Sequence, residues 1–411
     1  MRILDDARLA SVLGSIGAGE PRVVASGNHA APRRLIEAAD KALSAYRLFQ
    51  LNAQPGIPVR DGVTHESPFI GPGMRGLPTL GYLPARLSLV PRMLATTHRP
   101  DIVLLHCSPP REGRLSLGVE VNILPAAIEQ ARAHGGIVVA QINSDMPYTF
   151  GDARIPVGAV DYALEYDEPL RSPAPRAKAG AADVAAPIGQ RVAAMVEDGA
   201  TVQAGIGAVP DAVLAALVAR KGLRVWSEMI SDGVLDLARA CSLDWAEPIV
   251  ASFLFGSPDL YAWADRNPQL RMLRTETVND PARIAARPAM TSINTALQVD
   301  LFAQANASYA HGRIYSGFGG QTDFVVGALH SPGGQAIIAL PAWHAKTHSS
   351  TIVGRLADPV TSFQHTAVVT DAGRADLFGH SQREQADHLI EHAAAPEARD
   401  GLREEAARLS G

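Results

Sequence analysis

The chain has 411 residues, which at roughly 150 residues per domain implies two or three domains. With 47% apolar residues, 19% charged residues and a formal charge of −5, it holds enough material for sizeable cores and is not an extended disordered protein. Slight acidity and only 5% aromatic residues argue against a nucleic-acid surface or a base-stacking platform.

Short β-branched runs alternate with helical patterns along the chain. Predicted in order are a strand at Arg22–Ala25, a helix at Pro32–Tyr46, a strand at Asp101–His106 and a helix at Pro125–Ala133. Strands at Gly136–Ile142 and Val160–Tyr166 follow. Pro169–Pro187, rich in Pro, Ala and Gly without apolar periodicity, reads as a linker. Beyond it come a strand at Thr201–Gln203, a helix at Val209–Ala219, a strand at Leu223–Trp226, a helix at Gly233–Ala240 and a strand at Ile249–Phe253. Phe324–Leu329 is helix-like, Gln335–Leu340 and Ala367–Thr370 are strands, and Gln382–Ala393 is a helix. The alternation predicts an α/β protein with mostly parallel sheets. The division is 1–168, a linker at 169–187, and 188–411.

The two halves share an echo. Val24-Ala-Ser-Gly27-Asn-His-Ala-Ala-Pro32 aligns with Val202-Gln-Ala-Gly205-Ile-Gly-Ala-Val-Pro210 at a constant offset of 178. In each, a strand ends at Gly and a helix begins with Pro five residues later, whose missing N–H costs nothing in a first turn. The free N–H groups there favour an anion or a developing oxyanion. Two readings stand: chance likeness of two strand–turn–helix units, or two related α/β domains facing each other across a site.

Two cysteines, Cys107 and Cys241, lie far apart, against a disulfide framework and a cysteine zinc site and in favour of a reducing compartment. Acid follows the N-terminus too early for a signal peptide, and no apolar run approaches about 18 residues. The expectation is a cytoplasmic protein that binds neither membrane nor nucleic acid. Gly205-Ile-Gly207-Ala-Val-Pro210 begins like a dinucleotide loop but has Pro at the third Gly. His344 and His348 have i, i+4 spacing with no evident third ligand, so no metal site is expected.

Three features carry polar chemistry in the second half. Leu223-Arg-Val-Trp-Ser-Glu228 places a carboxylate at a strand's carboxyl end, where α/β sheets bind ligands, although a helix cap would serve equally. Tyr315-Ser-Gly317-Phe-Gly319-Gly320-Gln321 lets backbone N–H groups approach a ligand, or makes a tight turn. Asn294 stands in an apolar stretch, as a structural bridge or an amide turned to a ligand.

The chain resembles the acetyl-CoA hydrolase/transferase family of class I CoA-transferases, particularly its 4-hydroxybutyrate and butyrate branch. The resemblance rests on Ser26-Gly-Asn28, Ser108-Pro-Pro110, Ser116-Leu-Gly118, Asn143-Ser-Asp-Met-Pro147 and Gly205-Ile-Gly-Ala-Val-Pro-Asp-Ala-Val-Leu214. It continues through Ser227-Glu-Met-Ile-Ser-Asp-Gly233, Val278-Asn-Asp-Pro281, Ile293-Asn-Thr-Ala296, Tyr315–Gln321 and Ile337-Ile-Ala-Leu-Pro341. The resemblance implies two similar open α/β domains with the active site at their interface. It makes Glu228 the catalytic glutamate of a ping-pong CoA transfer through an acyl-glutamyl anhydride and a glutamyl-CoA thioester. Oxyanion donors would be Gly319, Gly320 and the backbone near Val209, with the Asn294 amide as a further donor. Gly205, Gly207, Gly317, Gln321 and Lys346 would contact CoA, with Lys346, His348 and Arg355 as candidate phosphate cations or merely solvated surface groups. No permanently bound cofactor and no metal are implied. Acyl-CoA and a short-chain carboxylate such as acetate are the implied substrates, and a homodimer the implied assembly. Hydrolysis through the same glutamate, or a silent CoA-binding relative, are the alternatives.

The chain departs from the family pattern near its end. Val369-Thr-Asp371-Ala372-Gly373 replaces Val-Thr-Glu-Tyr-Gly, and Leu377-Phe378-Gly379 replaces Leu-Arg-Gly. Ala342-Trp-His-Ala-Lys-Thr-His348 replaces small residues and lysines, and the region Asn52–Pro72 is short.

Overall fold

The computed structural model describes residues 1–16, 19–173 and 181–409. Two compact units emerge. The first comprises Met1–Pro173, Pro248–Val278 and Tyr315–Gly319; the second comprises Ala174–Glu247, Asn279–Ile314 and Gly320–Gly411. The first boundary falls inside the expected linker, but two later segments return to the first unit, so the units are not continuous halves.

The first unit is built on eight parallel strands: β1 (Arg2–Ile3), β2 (Arg22–Ala25), β3 (Tyr46–Phe49), β4 (Val63–Ser67), β5 (Leu80–Tyr82), β6 (Ile102–Cys107), β7 (Ile137–Ile142) and β8 (Tyr162–Glu165). Their order is β1-β8-β7-β6-β2-β3-β4-β5. All six residues of β6 are buried, which is why it reads as an unbroken apolar run and not an alternation. Helix α1 (Asp6–Ser15) is capped by Asp5, whose Oδ1 accepts the Arg8 N–H at 2.8 Å. Helix α2 (Arg33–Ala42) buries Leu35, Ile36 and Ala39. These side chains join Leu9, Leu13, Val23, Tyr46, Leu48 and Leu104 in one core.

The predicted helix Pro32–Tyr46 is therefore corrected: it stops at Ala42, and Tyr46 opens a strand. Leu43 turns extended with no Gly or Pro to mark the change. Apolar spacing alone ran straight through the break.

The second unit centres on β9 (Thr201–Ala204), β10 (Arg224–Val225), β11 (Thr291–Asn294), β12 (Gln335–Ala339), β13 (Ala367–Val369) and β14 (Arg374–Asp376). The order is β10-β9-β11-β12-β13-β14, parallel except for the last pair. One core cluster beside it gathers Val299, Leu301, Ile338, Leu340, Val368, Leu377 and Leu389. Residues 174–180 of the expected linker lie outside the described residues. Its last part is not a linker, because Ala181–Pro187 opens a helix running to Met195. The predicted helix Gln382–Ala393 divides into an α-helix at Gln382–His388, opened by a Ser381/Glu384 capping box, and a π-helical turn at Leu389–Ala393.

The two sheets answer the question raised by the echo. β3-β2-β6-β7-β8 and β10-β9-β11-β12-β13 have the same order and direction. Val24 pairs with Phe49 and Val103, and Val202, 178 residues on, pairs with Val225 and Thr291. The likeness extends over five strands, and chance similarity of one turn does not account for that.

Candidate active site

Glu228 lies three residues beyond β10, ahead of a helix at Asp232–Arg239. The Trp226 N–H still donates to the Val202 carbonyl at 3.2 Å, and the chain leaves the sheet at Ser227, whose Oγ donates to the Ala204 carbonyl at 3.3 Å. The bond ties the loop bearing Glu228 to the carboxyl end of β9.

Two neighbours, one a side-chain amide and one a glycine, crowd the carboxylate. Asn279 Nδ2 donates to Glu228 Oε2 at 3.0 Å, and Asn279 is fully buried. Gly320 packs against the same atoms, and a Cβ there would overlap Glu228 Oε2 and Asn279 Nδ2. Gly320 is the residue before the helix Gln321–His330, so the carboxylate meets a helix entry. Asp323, buried in that helix's first turn, adds a second negative charge nearby.

Burial raises the Glu228 pKa to about 7; the Asn279 hydrogen bond pulls it down and the charge of Asp323 pushes it up. No ion pair to Glu228 is present among the described residues. A carboxylate this basic, without a cation to quench it, is a better nucleophile than an exposed one.

The other expected residues fall in different places. Val209 is buried in the first turn of the helix Ala208–Leu217, where its N–H has no intrahelical acceptor. Pro210 is the third residue of that helix and not its first, still within the turn where a missing N–H is harmless. Gly205 and Gly207 lead into it, and a Cβ on Gly205 would meet open space. Gln321 follows Gly320, with its Nε2 buried and unpartnered. Asn294 sends its amide hydrogens to Ser292 Oγ at 2.8 Å and Gln203 Oε1 at 3.3 Å. It bridges strand ends and makes no hydrogen bond to Glu228; Asn279 is the amide that does.

Gly317 and Gly319 belong to the first unit. Gly319 adopts φ +57°, and a Cβ there would press on the Phe69 ring. Lys346, His344 and His348 are exposed on a β-hairpin formed by Trp343–His344 and Ser349–Ser350, and Arg355 is exposed beyond it. The i, i+4 histidines are thus not on a helix, and no cluster fit for a metal ion occurs among the described residues. Cys107 is buried and Cys241 exposed, both as free thiols.

Sequence reasoning missed Asn279 as a site residue, although it lies in the quoted Val278-Asn-Asp-Pro281. It also missed a buried carboxylate in the first unit. Glu120 accepts from the N–H groups of Gly27 (3.4 Å) and Asn28 (3.2 Å) and from Nδ2 of Asn28 (3.0 Å) and Asn122 (3.2 Å). Burial raises its pKa to about 7 despite these bonds. This anchor fixes the Ser26-Gly-Asn28 turn, and no motif in its own apolar stretch announces it.

The comparisons agree with this architecture. The acetyl-CoA hydrolase/transferase N-terminal domain matches residues 52–171, and the C-terminal domain of the same family matches residues 256–406. A 4-hydroxybutyrate coenzyme A transferase of Clostridium kluyveri is 37% identical over 356 residues, 83% of this chain and 81% of that one. A succinyl-CoA:acetate/propanoyl-CoA:succinate CoA transferase of Fasciola hepatica is 36% identical over 383 residues, 88% of this chain and 78% of that one. The crystal structure of RipA from Yersinia pestis superposes with a TM-score of 0.89 at 28% identity, covering 99% of this chain and 100% of that one. The chain belongs to the acetyl-CoA hydrolase/transferase family and is a CoA-transferase.

Proposed function

We propose that the protein moves CoA between an acyl-CoA and a free short-chain carboxylate in a ping-pong sequence through Glu228. The observation that carries the reading is the packing of Gly320 and the Asn279 amide against the Glu228 carboxylate.

A Glu228 oxygen attacks the thioester carbonyl, the C–S bond breaks, and CoA leaves as thiolate. The thiolate then attacks the glutamyl carbonyl of the anhydride, expelling the first acid as carboxylate and leaving a glutamyl-CoA thioester. A second carboxylate, with acetate as the proposed example, reverses both steps. Fixing the nucleophile beside the thioester replaces an encounter in solution, worth up to about 7–11 kcal/mol in favourable cases. Each tetrahedral intermediate needs oxyanion donors, worth about 3–4 kcal/mol apiece. Within the second unit, the backbone at Gly320 and the N–H of Val209 are the proposed donors. Gly205, Gly207, Gln321 and Lys346 are the proposed CoA contacts within the second unit. The same reading takes a homodimer as the assembly and the cytoplasm as the compartment.

The test is to incubate the protein with acyl-CoA without acceptor, trap with borohydride or hydroxylamine, and map the modified peptide. Modification at Glu228, absent in Glu228→Ala, is expected. Label elsewhere, or undiminished transfer by Glu228→Ala, overturns the reading. Hydrolysis is the second reading, favoured by the hydrolase members for which the family is also named. It predicts CoA release at the same rate with and without acceptor carboxylate.

A further inference from the structure

In the second unit a cavity of about 300 Å³ lies under the segment Leu377-Phe378-Gly379. Phe302, Phe363 and Phe378 supply aromatic walls, and Leu377 supplies an aliphatic one. His365 lines it with its ring edge-to-face on Phe363, at 4.8 Å between centroids. The residue is only 2% exposed, yet neither ring nitrogen has a hydrogen-bond partner among the described residues. Gln304 also lines the cavity. Its Nε2 donates to the Phe302 carbonyl at 3.2 Å, while its buried Oε1 accepts nothing.

Buried polar atoms without partners are costly to keep, so a site that holds three of them asks for an occupant. Among the described residues no Lys, Arg, Asp or Glu lines the cavity, so it offers a phosphate or carboxylate no charged partner. Burial holds His365 neutral, with a pKa lowered to about 3, so it offers one N–H and one bare nitrogen. The aromatic walls favour a flat π-system, and the volume suits a bicyclic ring and not a whole nucleotide.

We propose that this cavity binds an amino-substituted heteroaromatic base of the adenine type, held by His365 and by Gln304 Oε1 between the phenylalanine rings. An exocyclic amine satisfies Gln304 Oε1, and a ring nitrogen accepts the imidazole N–H. The base can come from CoA itself or from a free adenine nucleotide.

The test is calorimetric titration of the full chain with adenosine, inosine and pantetheine. Adenosine is expected to bind, inosine, which lacks the amine, at least tenfold more weakly, and pantetheine not to compete. His365→Phe and Gln304→Leu should weaken adenosine at least tenfold. Phe378→Ala, at a residue 65% exposed and so safe for folding, should weaken it several-fold. If CoA supplies the base, His365→Phe and Phe378→Ala raise the KM for acyl-CoA but not for acyl-pantetheine. If a free nucleotide does, adenosine binds equally with CoA saturating and both KM values stay put. Absent adenosine binding, or equal binding by wild type and all three variants, overturns the proposal. The titration stands apart from the glutamyl-CoA route, and only the KM comparison rests on it.

Discussion

Asn279 holds Glu228 by one hydrogen bond, Nδ2 to Oε2 at 3.0 Å, and this is the only side-chain donor to that carboxylate among the described residues. Because an amide donor favours the charged form, Asn279 opposes the burial that makes Glu228 basic. Asn279→Ala should move the acidic limb of the kcat/KM profile to higher pH. It should also cut kcat/KM by about 10- to 100-fold, the value of roughly 1.5–3 kcal/mol for a hydrogen bond to a charged group. A pH–rate series on both proteins checks this, and an unmoved limb would place Asn279 outside the reaction.

The glycine pair separates two kinds of damage. Gly320 has φ −89°, which any residue adopts, but its Cβ would overlap Glu228 and Asn279. Gly320→Ala should therefore lose at least about 100-fold in kcat, as loss of transition-state stabilisation does, on top of the fall in Tm that the overlap itself causes. Gly319 has φ +57°, so Gly319→Ala should cost about 1–2 kcal/mol in stability from backbone strain alone. Thermal melts beside initial rates distinguish the two.

Stability should depend on pH through Glu228. Its pKa is 4.5 unfolded and about 7 folded, so between these values the native state binds more protons. Wild-type stability then falls as pH rises from about 4.5 to 7. Glu228→Gln lacks this dependence and should gain on wild type across that window, by at most about 3 kcal/mol at pH 8. Urea midpoints of both proteins at pH 5 and pH 8 measure the difference.

Glu120→Ala should destabilise more than Glu120→Gln. Alanine strands the Gly27 and Asn28 N–H groups and two asparagine amides, each stranded donor costing about 1–3 kcal/mol, whereas glutamine keeps one acceptor oxygen. Urea denaturation of the pair is the check.

Unbroken apolar, β-branched runs made strands such as Arg22–Ala25 and Ile102–Cys107 legible in the sequence, whereas the largely buried Tyr46–Phe49 and Thr291–Asn294 lack such runs and did not stand out as strands. The strand Val63–Ser67 carries His and Glu and escaped notice, since both are buried by pairing and not by apolarity. Glu228 and Gly320 stood out from their motifs. Asn279 did not, because an amide gives no local signal of which distant carboxylate it will meet. Asn294 stands out as a polar residue in an apolar stretch, and its half-buried amide is met by Ser292 and Gln203.

The most direct test of the central claim is oxygen transfer. When a carboxylate labelled with 18O on both oxygens accepts CoA from the glutamyl thioester, one labelled oxygen must pass to the Glu228 carboxylate. Peptide mass spectrometry after a single turnover from the preformed glutamyl-CoA thioester should find one 18O in the peptide containing Glu228. CoA transfer proceeding with no label there would contradict the account.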